Sequence, residues 1–527
     1  MYRTVAQIDS ATSILASWFP AIFTRAQLPH ASVEGRPVFA LRMRAGGGAA
    51  RRAVLIVGGT HARELMNPDA IVELAIDLLL SYSNGTDVVY GGKRFAADDV
   101  KLILEAMDIW LLPCVNPDGR HHVMTVDDMW RKNRRPGSPC IGVDLNRNAD
   151  IVWGVAQGQT SCTPCSDVYC GPSAFSEPEG RNVKHVLDTE RVVSFVDVHS
   201  FSELVLFPWG HAGTQSTNAS QRFTGLTTGT CTASIPAGYA EYMPAQDVQR
   251  FQTVAGRIVN DIAAVRGRHY TPQTSFALYA TTGSQSDYAY SRHIANPALN
   301  KTYGFTFETG PSIPGNAPES FHPADPTLIK RDAKAAMLAL MQQSVCAIEL
   351  IGTRLFDSGS SVAALRTVRD KLLASTAAGR DWITLFERAQ FALVASAMRD
   401  PKLLATAGDL IQLMARATDD QDAVFAEADA KRAKALLKTL RGKLKIRALK
   451  GDLDAIGARI EQMSGRRVQQ VVESLMRHKP GPAKAPEVKK VVKKTTVRTT
   501  TKSTTKSDTS AARKPVAAAK KRAKPKR

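Results

Sequence analysis

The stretch Ala53-Val-Leu-Ile-Val-Gly-Gly-Thr-His-Ala-Arg-Glu64 joins an apolar run, two glycines and a His/Glu pair. A continuous apolar run is typical of a central strand that helices cover on both faces. Two adjacent glycines allow a sharp turn, which would expose His61 and Glu64 at the end of that strand. The His-x-x-Glu spacing alone also occurs on ordinary helix surfaces. Its position after a strand favours a metal site.

Similar apolar runs alternate with helical segments through the first 345 residues. Apolar runs at 107–114, 192–198 and 303–307 predict strands, and the segments 68–82 and 244–265 predict helices. Alternation of this kind predicts an α/β fold.

His199 and Glu308 each end one of the predicted strands. A histidine there is more often a hydrogen-bonded structural residue, and a carboxylate is more often a helix cap or part of a salt bridge. Together with His61 and Glu64, however, His199 completes three zinc ligands with one open position. Glu308 would then be a general base that activates water. The pattern predicts a zinc hydrolase.

The net charge of +20 lies mostly at the end of the chain, where residues 479–527 contain 17 Lys/Arg and 2 acids. This segment is rich in Lys, Ala, Thr and Pro, and it predicts a disordered tail. Such a tail would bind nucleic acid or another polyanion without sequence preference. The alternative is a solubilising extension that has no dedicated partner.

Residues 346–478 differ from both neighbours. Repeated 3–4 spacing of Leu, Ile, Val and Ala predicts four or five helices, with breaks near Gly379, Asp419 and Gly451. We therefore predict three parts: a catalytic domain at 1–345, an α-helical region at 346–478 and the basic tail at 479–527.

Four cysteines fall between Cys140 and Cys170, with Cys162 and Cys165 between them, and could form disulfides or a small metal cluster. Disulfides favour a secreted or extracytoplasmic protein. Against this, the N-terminus is polar where a signal peptide needs an apolar core. No apolar run of about 20 residues occurs, which predicts no membrane span.

The cations of Trp130-Arg-Lys-Asn-Arg-Arg135 are embedded among Trp and Asn, and Asp144-Leu-Asn-Arg-Asn148 follows closely. Dense cations usually mark a solvated or nucleic-acid-facing loop. Single arginines in such surroundings also suit bidentate carboxylate recognition and oxyanion stabilisation.

Residues 5–345 resemble the zinc carboxypeptidases of the carboxypeptidase A and B type. The motifs that carry this resemblance are His61-Ala-Arg-Glu64, Asn116-Pro-Asp-Gly119, Trp130-Arg-Lys132, Gly142-Val-Asp-Leu-Asn-Arg-Asn148, Asp197-Val-His-Ser200, Leu278-Tyr279 and Phe305-Thr-Phe-Glu-Thr309. The resemblance implies a mixed, mostly eight-stranded twisted sheet flanked by helices.

It also implies the chemistry. His61, Glu64 and His199 would bind one Zn²⁺, Arg131 would polarise the scissile carbonyl, and Glu308 would activate the attacking water.

The remaining implied roles concern the substrate, a peptide or protein C-terminus. Asn146 and Arg147 would hold the terminal carboxylate, Tyr279 would close over it, and Arg63 would serve more distal subsites. Ser286 would lie at the base of the pocket that holds the last side chain of the substrate. A serine there does not indicate which class of C-terminal residue is preferred.

The resemblance further implies a Cys140–Cys165 disulfide and leaves Cys162 with Cys170 as a second one. Two other functions remain open at this point: an amidase that acts on modified or cell-wall peptides through the same site, and a polyanion-binding protein that acts through the tail.

Overall fold

The computed structural model describes most of the chain up to residue 460. The described ranges are 2–47, 51–223, 234–314, 318–347, 376–419, 424–443 and 447–460, with isolated residues beside them. The predicted disordered tail at 479–527 lies outside the described residues.

Strands and helices alternate through the first 345 residues, as the apolar pattern predicted. The strands are β1 Phe23–Gln27, β2 Phe39–Met43, β3 Ala53–Gly58, β4 Val88–Tyr90, β5 Lys93–Phe95, β6 Asp108–Leu112, β7 Val192–His199, β8 Leu204–Phe207, β9 Thr214–Ser216, β10 Ala240–Tyr242, β11 Thr271–Thr274 and β12 Tyr303–Glu308. The helices are α1 Val5–Trp18, α2 Met66–Asn84, α3 Ala97–Ala106, α4 Pro117–Thr125, α5 Pro178–Thr189, α6 Ala245–Arg266, α7 Ser275–Leu278, α8 Gln285–Ala295, α9 Pro318–Phe321 and α10 Thr327–Ser344.

The centre of the molecule is an eight-stranded sheet in the order β1-β2-β6-β3-β7-β12-β8-β11. Its middle strands β6, β3, β7 and β12 run parallel to their neighbours within this group, whereas β2 and β8 pair antiparallel with β6 and β12. Every residue of β3 and β7 is buried, which explains why β3 is apolar throughout and β7 mostly apolar. The predicted mixed sheet is confirmed.

Helices cover both faces of this sheet. On one face α2, α6 and α10 share a large apolar core with Ile56 and Val198 of the sheet. On the other face Val183 and Val186 of α5 and Ala289 of α8 pack against Leu55 and Phe195. Since parallel strands bury both faces, these layers leave the strand ends as the accessible part of the sheet.

The region after residue 345 is helical where it is described. Its helices are α11 Ala377–Met398, α12 Pro401–Asp419, α13 Glu427–Lys443 and α14 Arg447–Ile460. The break near Gly379 agrees with the start of α11, and the break near Asp419 agrees with the end of α12. The break predicted near Gly451 is displaced, because α14 begins at Arg447 and this glycine lies inside it.

Helix α11 packs against α6, α10 and α3. Buried Arg250 of α6 donates to the backbone oxygen of Gln343 at 2.6 Å and lies 3.5 Å from Glu387 of α11. Arg399, just after α11, pairs with Asp98 and Asp99 in the first turn of α3. Apolar side chains of α11 belong to the same core as α6. The domain boundaries at 345 and 478 stay predictions.

The loop at 134–179 contains the Cys140–Cys165 disulfide, which the resemblance implied. This bond excludes a metal cluster that uses those two thiolates. A second bridge between Cys162 and Cys170 is wrong, because Cys170 is a free thiol with its Sγ atom 3.9 Å from that of Cys162. Among the helices described, none has the length and apolar character needed to cross a bilayer.

Candidate active site

Three neighbouring strands deliver the predicted zinc ligands and base to one end of the sheet. His61 and Glu64 follow β3, His199 is the last residue of β7, and Glu308 is the last residue of β12. Glu308 is the register partner of His199. The turn after β3 requires Gly59, which has φ +66° and where an added Cβ atom would lie only 3.0 Å from the Pro68 ring.

The side chains of His61, Glu64 and His199 meet in a buried cluster. His61 Nδ1 lies 2.7 Å from Glu64 Oε1 and 3.0 Å from His199 Nδ1, which in turn lies 3.1 Å from Glu64 Oε2. Burial alone would raise the pKa of Glu64, but the two imidazoles outweigh it and lower that pKa. The carboxylate is therefore ionised.

The outer nitrogens of both histidines face carboxylates. His61 Nε2 lies 3.2 Å from Asp144 Oδ1, and His199 Nε2 lies 2.8 Å from Asp197 Oδ2. Thr60 Oγ1 donates to both oxygens of Asp197, at 2.9 and 3.0 Å. A carboxylate at each Nε2 fixes the orientation of that ring, so that both Nδ1 atoms face Glu64.

This donor set fits a zinc ion. Two imidazole Nδ1 atoms and an ionised carboxylate converge within about hydrogen-bond distance of one another. Two imidazoles and one carboxylate are a common ligand set of catalytic zinc. The observed arrangement is thus that of a divalent-cation site.

Glu308 is 8% exposed. Burial, reinforced by the nearby charge of Glu64, raises its pKa to about 8, although His199 and Arg131 oppose the shift. A carboxyl group with a pKa near neutrality can both accept and release a proton under physiological conditions.

Arg131 is held beside the cluster by a bidentate ion pair. Its Nε and Nη2 donate to Asp144 Oδ2 at 3.0 and 2.8 Å. Asp144 also contacts His61 through its other oxygen, so one carboxylate links the guanidinium to a ligand histidine. Burial opposes the charge, but Asp144 outweighs it and raises the pKa of Arg131.

Asn146 and Arg147 lie in the short 3-10 helix Leu145–Arg147, next to the start of α8. Asn146 Oδ1 accepts from the backbone N–H of Gln285 at 2.9 Å. The Arg147 guanidinium donates to the backbone oxygens of Asn146 and Gln159 and lies 5.8 Å from the ring of Tyr279. Tyr279 is 36% exposed.

The two remaining predicted residues flank this region. Arg63 stacks on Phe321 at 4.3 Å, and Phe321 packs against Phe201. Ser286 Oγ accepts from Thr306 Oγ1 at 3.1 Å. Every predicted site residue thus lies on segments that meet at the carboxyl ends of β3, β7 and β12.

Sequence reasoning missed the roles of Asp144 and Asp197, although both stand in the quoted motifs. A usable signal existed for Asp197, because residues two apart on a strand share a face and Asp197 precedes His199 by two. For Asp144 the only signal was its place among arginines and asparagines.

Comparisons with known proteins agree with this geometry. A family model described as zinc carboxypeptidase matches residues 10–335, more than half of the chain. Carboxypeptidase A4 of Mus musculus is 28% identical over 311 residues, which cover 58% of this chain and 62% of that protein. Carboxypeptidase B of Helicoverpa zea is 34% identical over 227 residues, which cover 41% of this chain and 48% of that protein. The chain spans about half to three-fifths of the length of these relatives.

A crystal structure of thrombin activatable fibrinolysis inhibitor aligns with a TM-score of 0.51 and 23% identity, over 66% of this chain and 75% of that one. At that identity the likeness supports the fold alone. Together with the family match, it leads to one conclusion: the chain belongs to the zinc carboxypeptidase family.

Proposed function

We propose that this protein is a zinc-dependent carboxypeptidase that hydrolyses the C-terminal peptide bond of peptides or proteins. The observation that carries the proposal is the meeting of two residue sets at one end of the sheet. His61, Glu64 and His199 form the cation site, and the segment with Asn146 and Arg147 lies beside it.

His61, Glu64 and His199 would hold the zinc ion. Zinc supplies a Lewis acid for the peptide carbonyl and lowers the pKa of coordinated water. Asp144 and Asp197 orient the two imidazoles through their outer nitrogens, so the ligand atoms are fixed before the metal arrives.

Glu308 would be the general base and then the general acid. It takes a proton from the attacking water and delivers that proton to the amine that leaves. Burial raises the pKa of Glu308, which supports this role, since a more basic carboxylate takes a proton from water more readily.

Arg131 would donate to the scissile carbonyl oxygen as negative charge develops on it. Its ion pair with Asp144 supports this role, because the pair fixes the planar guanidinium before substrate binds. A fixed donor needs no reorganisation during the reaction.

Asn146 and Arg147 would bind the free carboxylate of the substrate, and Tyr279 would close over it. A guanidinium recognises a carboxylate with two parallel hydrogen bonds, which favours a chain end over an internal peptide bond. Arg63 would contact residues further from the cleaved bond, and Ser286 would line the pocket for the last side chain.

The test compares matched peptides that carry either a free or an amidated C-terminus, alongside zinc analysis of the purified protein. We expect about one zinc per chain and hydrolysis of the free peptide only. Equal rates on both peptides would contradict the exopeptidase proposal, whereas full activity after exhaustive chelation would contradict the zinc proposal.

Two coarser proposals accompany this one. The Cys140–Cys165 disulfide supports an oxidising, extracytoplasmic compartment. The basic composition of 479–527 supports polyanion binding, which should weaken steeply with salt. Deleting 479–527 should abolish retention on nucleic acid while peptide hydrolysis continues; retention by the shortened protein would contradict the tail proposal.

A further inference from the structure

The side chain of Gln285 has two buried polar atoms without a partner, whereas the other such residues in the described part of the chain have one each. It is 3% exposed, and neither its Nε2 nor its Oε1 atom has a hydrogen-bond partner among the described residues. A buried polar atom without a partner costs about 1–3 kcal/mol. Native proteins rarely retain such groups without a functional reason.

Gln285 lies between the two parts of the proposed active site. Its backbone N–H donates to Asn146 Oδ1 at 2.9 Å, on the side of the carboxylate-binding residues. The next residue, Ser286, accepts from Thr306 at 3.1 Å, and Thr306 precedes Glu308 by two on the same strand. Both contacts are buried.

This position corresponds to the last side chain of a substrate. A peptide whose terminal carboxylate contacts Asn146 and Arg147 and whose last carbonyl lies near Glu308 spans the gap between them. The side chain of the last residue is attached to the Cα atom that lies between the terminal carboxylate and the cleaved peptide bond. The start of α8, with Gln285 and Ser286, borders that gap.

We propose that Gln285 determines specificity and selects C-terminal residues with a neutral primary amide, asparagine or glutamine. This inference rests on the proposed carboxypeptidase function. The unpaired Gln285 amide offers donors and an acceptor on separate atoms. A substrate amide offers the complementary acceptor and donors, so the two groups can pair reciprocally.

Other side-chain classes satisfy Gln285 less well. A lysine or arginine supplies only donors, a carboxylate supplies only acceptors, and an apolar side chain supplies neither. A hydroxyl group has one oxygen for both contacts. A site with buried polar groups discriminates strongly against ligands that leave those groups unpaired.

The neighbouring acid, Asp287, is the feature that would favour a basic side chain instead. Its Oδ2 atom accepts from the backbone N–H of Gly210 at 2.7 Å, and His211 Nδ1 lies 3.6 Å away. Burial lowers the pKa of His211, but Asp287 and Glu241 outweigh it and raise that pKa. His211 therefore opposes part of the charge of Asp287, whose Oδ1 atom has no hydrogen-bond partner among the described residues.

The experiment measures kcat/KM for peptides that share one sequence and end in Gln, Asn, Leu, Phe, Lys or Glu. We expect the Gln and Asn peptides to exceed the Leu peptide by roughly 10- to 100-fold, the equivalent of two recovered hydrogen bonds. A preference for Lys, Phe, Leu or Glu overturns this inference and leaves the carboxypeptidase proposal standing. Hydrolysis of none of the peptides overturns both.

Two variants assign the preference to Gln285. Gln285→Leu should lose roughly 10- to 100-fold on the Gln and Asn peptides, whereas its rate on the Leu peptide should not fall. Gln285→Glu, which has nearly the same shape, should move the preference to the Lys peptide. The control is Gln343→Leu, which removes another buried glutamine, in α10, and should leave the order of substrates unchanged. An unchanged order in both Gln285 variants, with zinc bound, overturns the inference.

Discussion

The zinc-ligand cluster and the start of α8 lie at the same end of the sheet, yet their polar atoms are partnered differently. Around the cluster, Asp144 and Asp197 contact the outer nitrogens of the ligand histidines, and Thr60 donates a hydrogen bond to Asp197. At the start of α8, Gln285 keeps two buried polar atoms unpaired within the described residues. The donor atoms of the first region fit one small cation, and for the second we propose a larger ligand with several polar atoms.

The largest effect should come from Glu308→Gln, which removes proton transfer and leaves the ligand cluster intact. We expect kcat to fall roughly 100- to 10,000-fold, because a positioned acid–base group contributes about that much. Steady-state kinetics with parallel zinc analysis measures this, and the exposed Glu319→Gln on α9 is the control. Near-normal turnover by the Glu308 variant would remove the base from the mechanism.

Arg147→Ala should weaken binding of the terminal carboxylate of the substrate. We expect KM to rise by roughly 10- to 100-fold with a smaller change in kcat, since a charge-assisted carboxylate contact is lost in ground and transition states alike. The free and amidated peptides should then be cleaved at similar rates. Arg94→Ala is the control, because Arg94 forms an exposed ion pair with Asp87. Retained discrimination between the peptides would contradict the carboxylate role.

Asp197→Asn should weaken zinc binding while every ligand remains. Loss of the carboxylate behind a ligand histidine typically lowers metal affinity by about 10- to 100-fold. Competition with a chelator measures the change, and Thr60→Val, which removes only the hydrogen bond to Asp197, should give a smaller effect. Equal affinity in Asp197→Asn and the unchanged protein would show that the cluster does not depend on this support.

Glu179→Gln should change stability without changing turnover, because Glu179 is buried and partnered away from the active site. Its oxygens accept from Val33 N–H and Asn133. Burial raises its pKa to about 7 from 4.5, so the folded protein binds more protons than the unfolded chain between these pH values. Stability contributed by Glu179 is therefore lost as pH rises through that window.

The variant should gain on the order of 2 kcal/mol of unfolding free energy at pH 8 and almost nothing at pH 4. Urea denaturation at both pH values measures the difference. An equal gain at both pH values would show that the ionisation of Glu179 is not its cause.

The central strands were predictable because most of their consecutive residues are apolar. β3 and β7 are buried along their length and β12 is buried after Tyr303, so their apolar runs stand out. The residues that end β7 and β12, His199 and Glu308, are polar. The short strands β8 and β11 carry too little pattern to be found.

The contacts between distant segments were not predictable from spacing. Asp144 reaches His61 across 83 positions, and nothing local to either residue encodes that approach. Of the two expected cysteine pairs, the one between Cys162 and Cys170 failed for a similar reason, since these residues are close in sequence and yet are not bonded to each other. The unpaired state of Gln285 depends on what surrounds it in three dimensions.

The packing of α11 against α6 and α10 bears on how the protein can be trimmed. A polypeptide that ends at Ser344 would lack Glu387, the ion-pair partner of Arg250. It would also expose to water the apolar surface that α11 covers. We expect such a fragment to aggregate. Expression for crystallisation or kinetics should therefore retain the chain at least through Ile460.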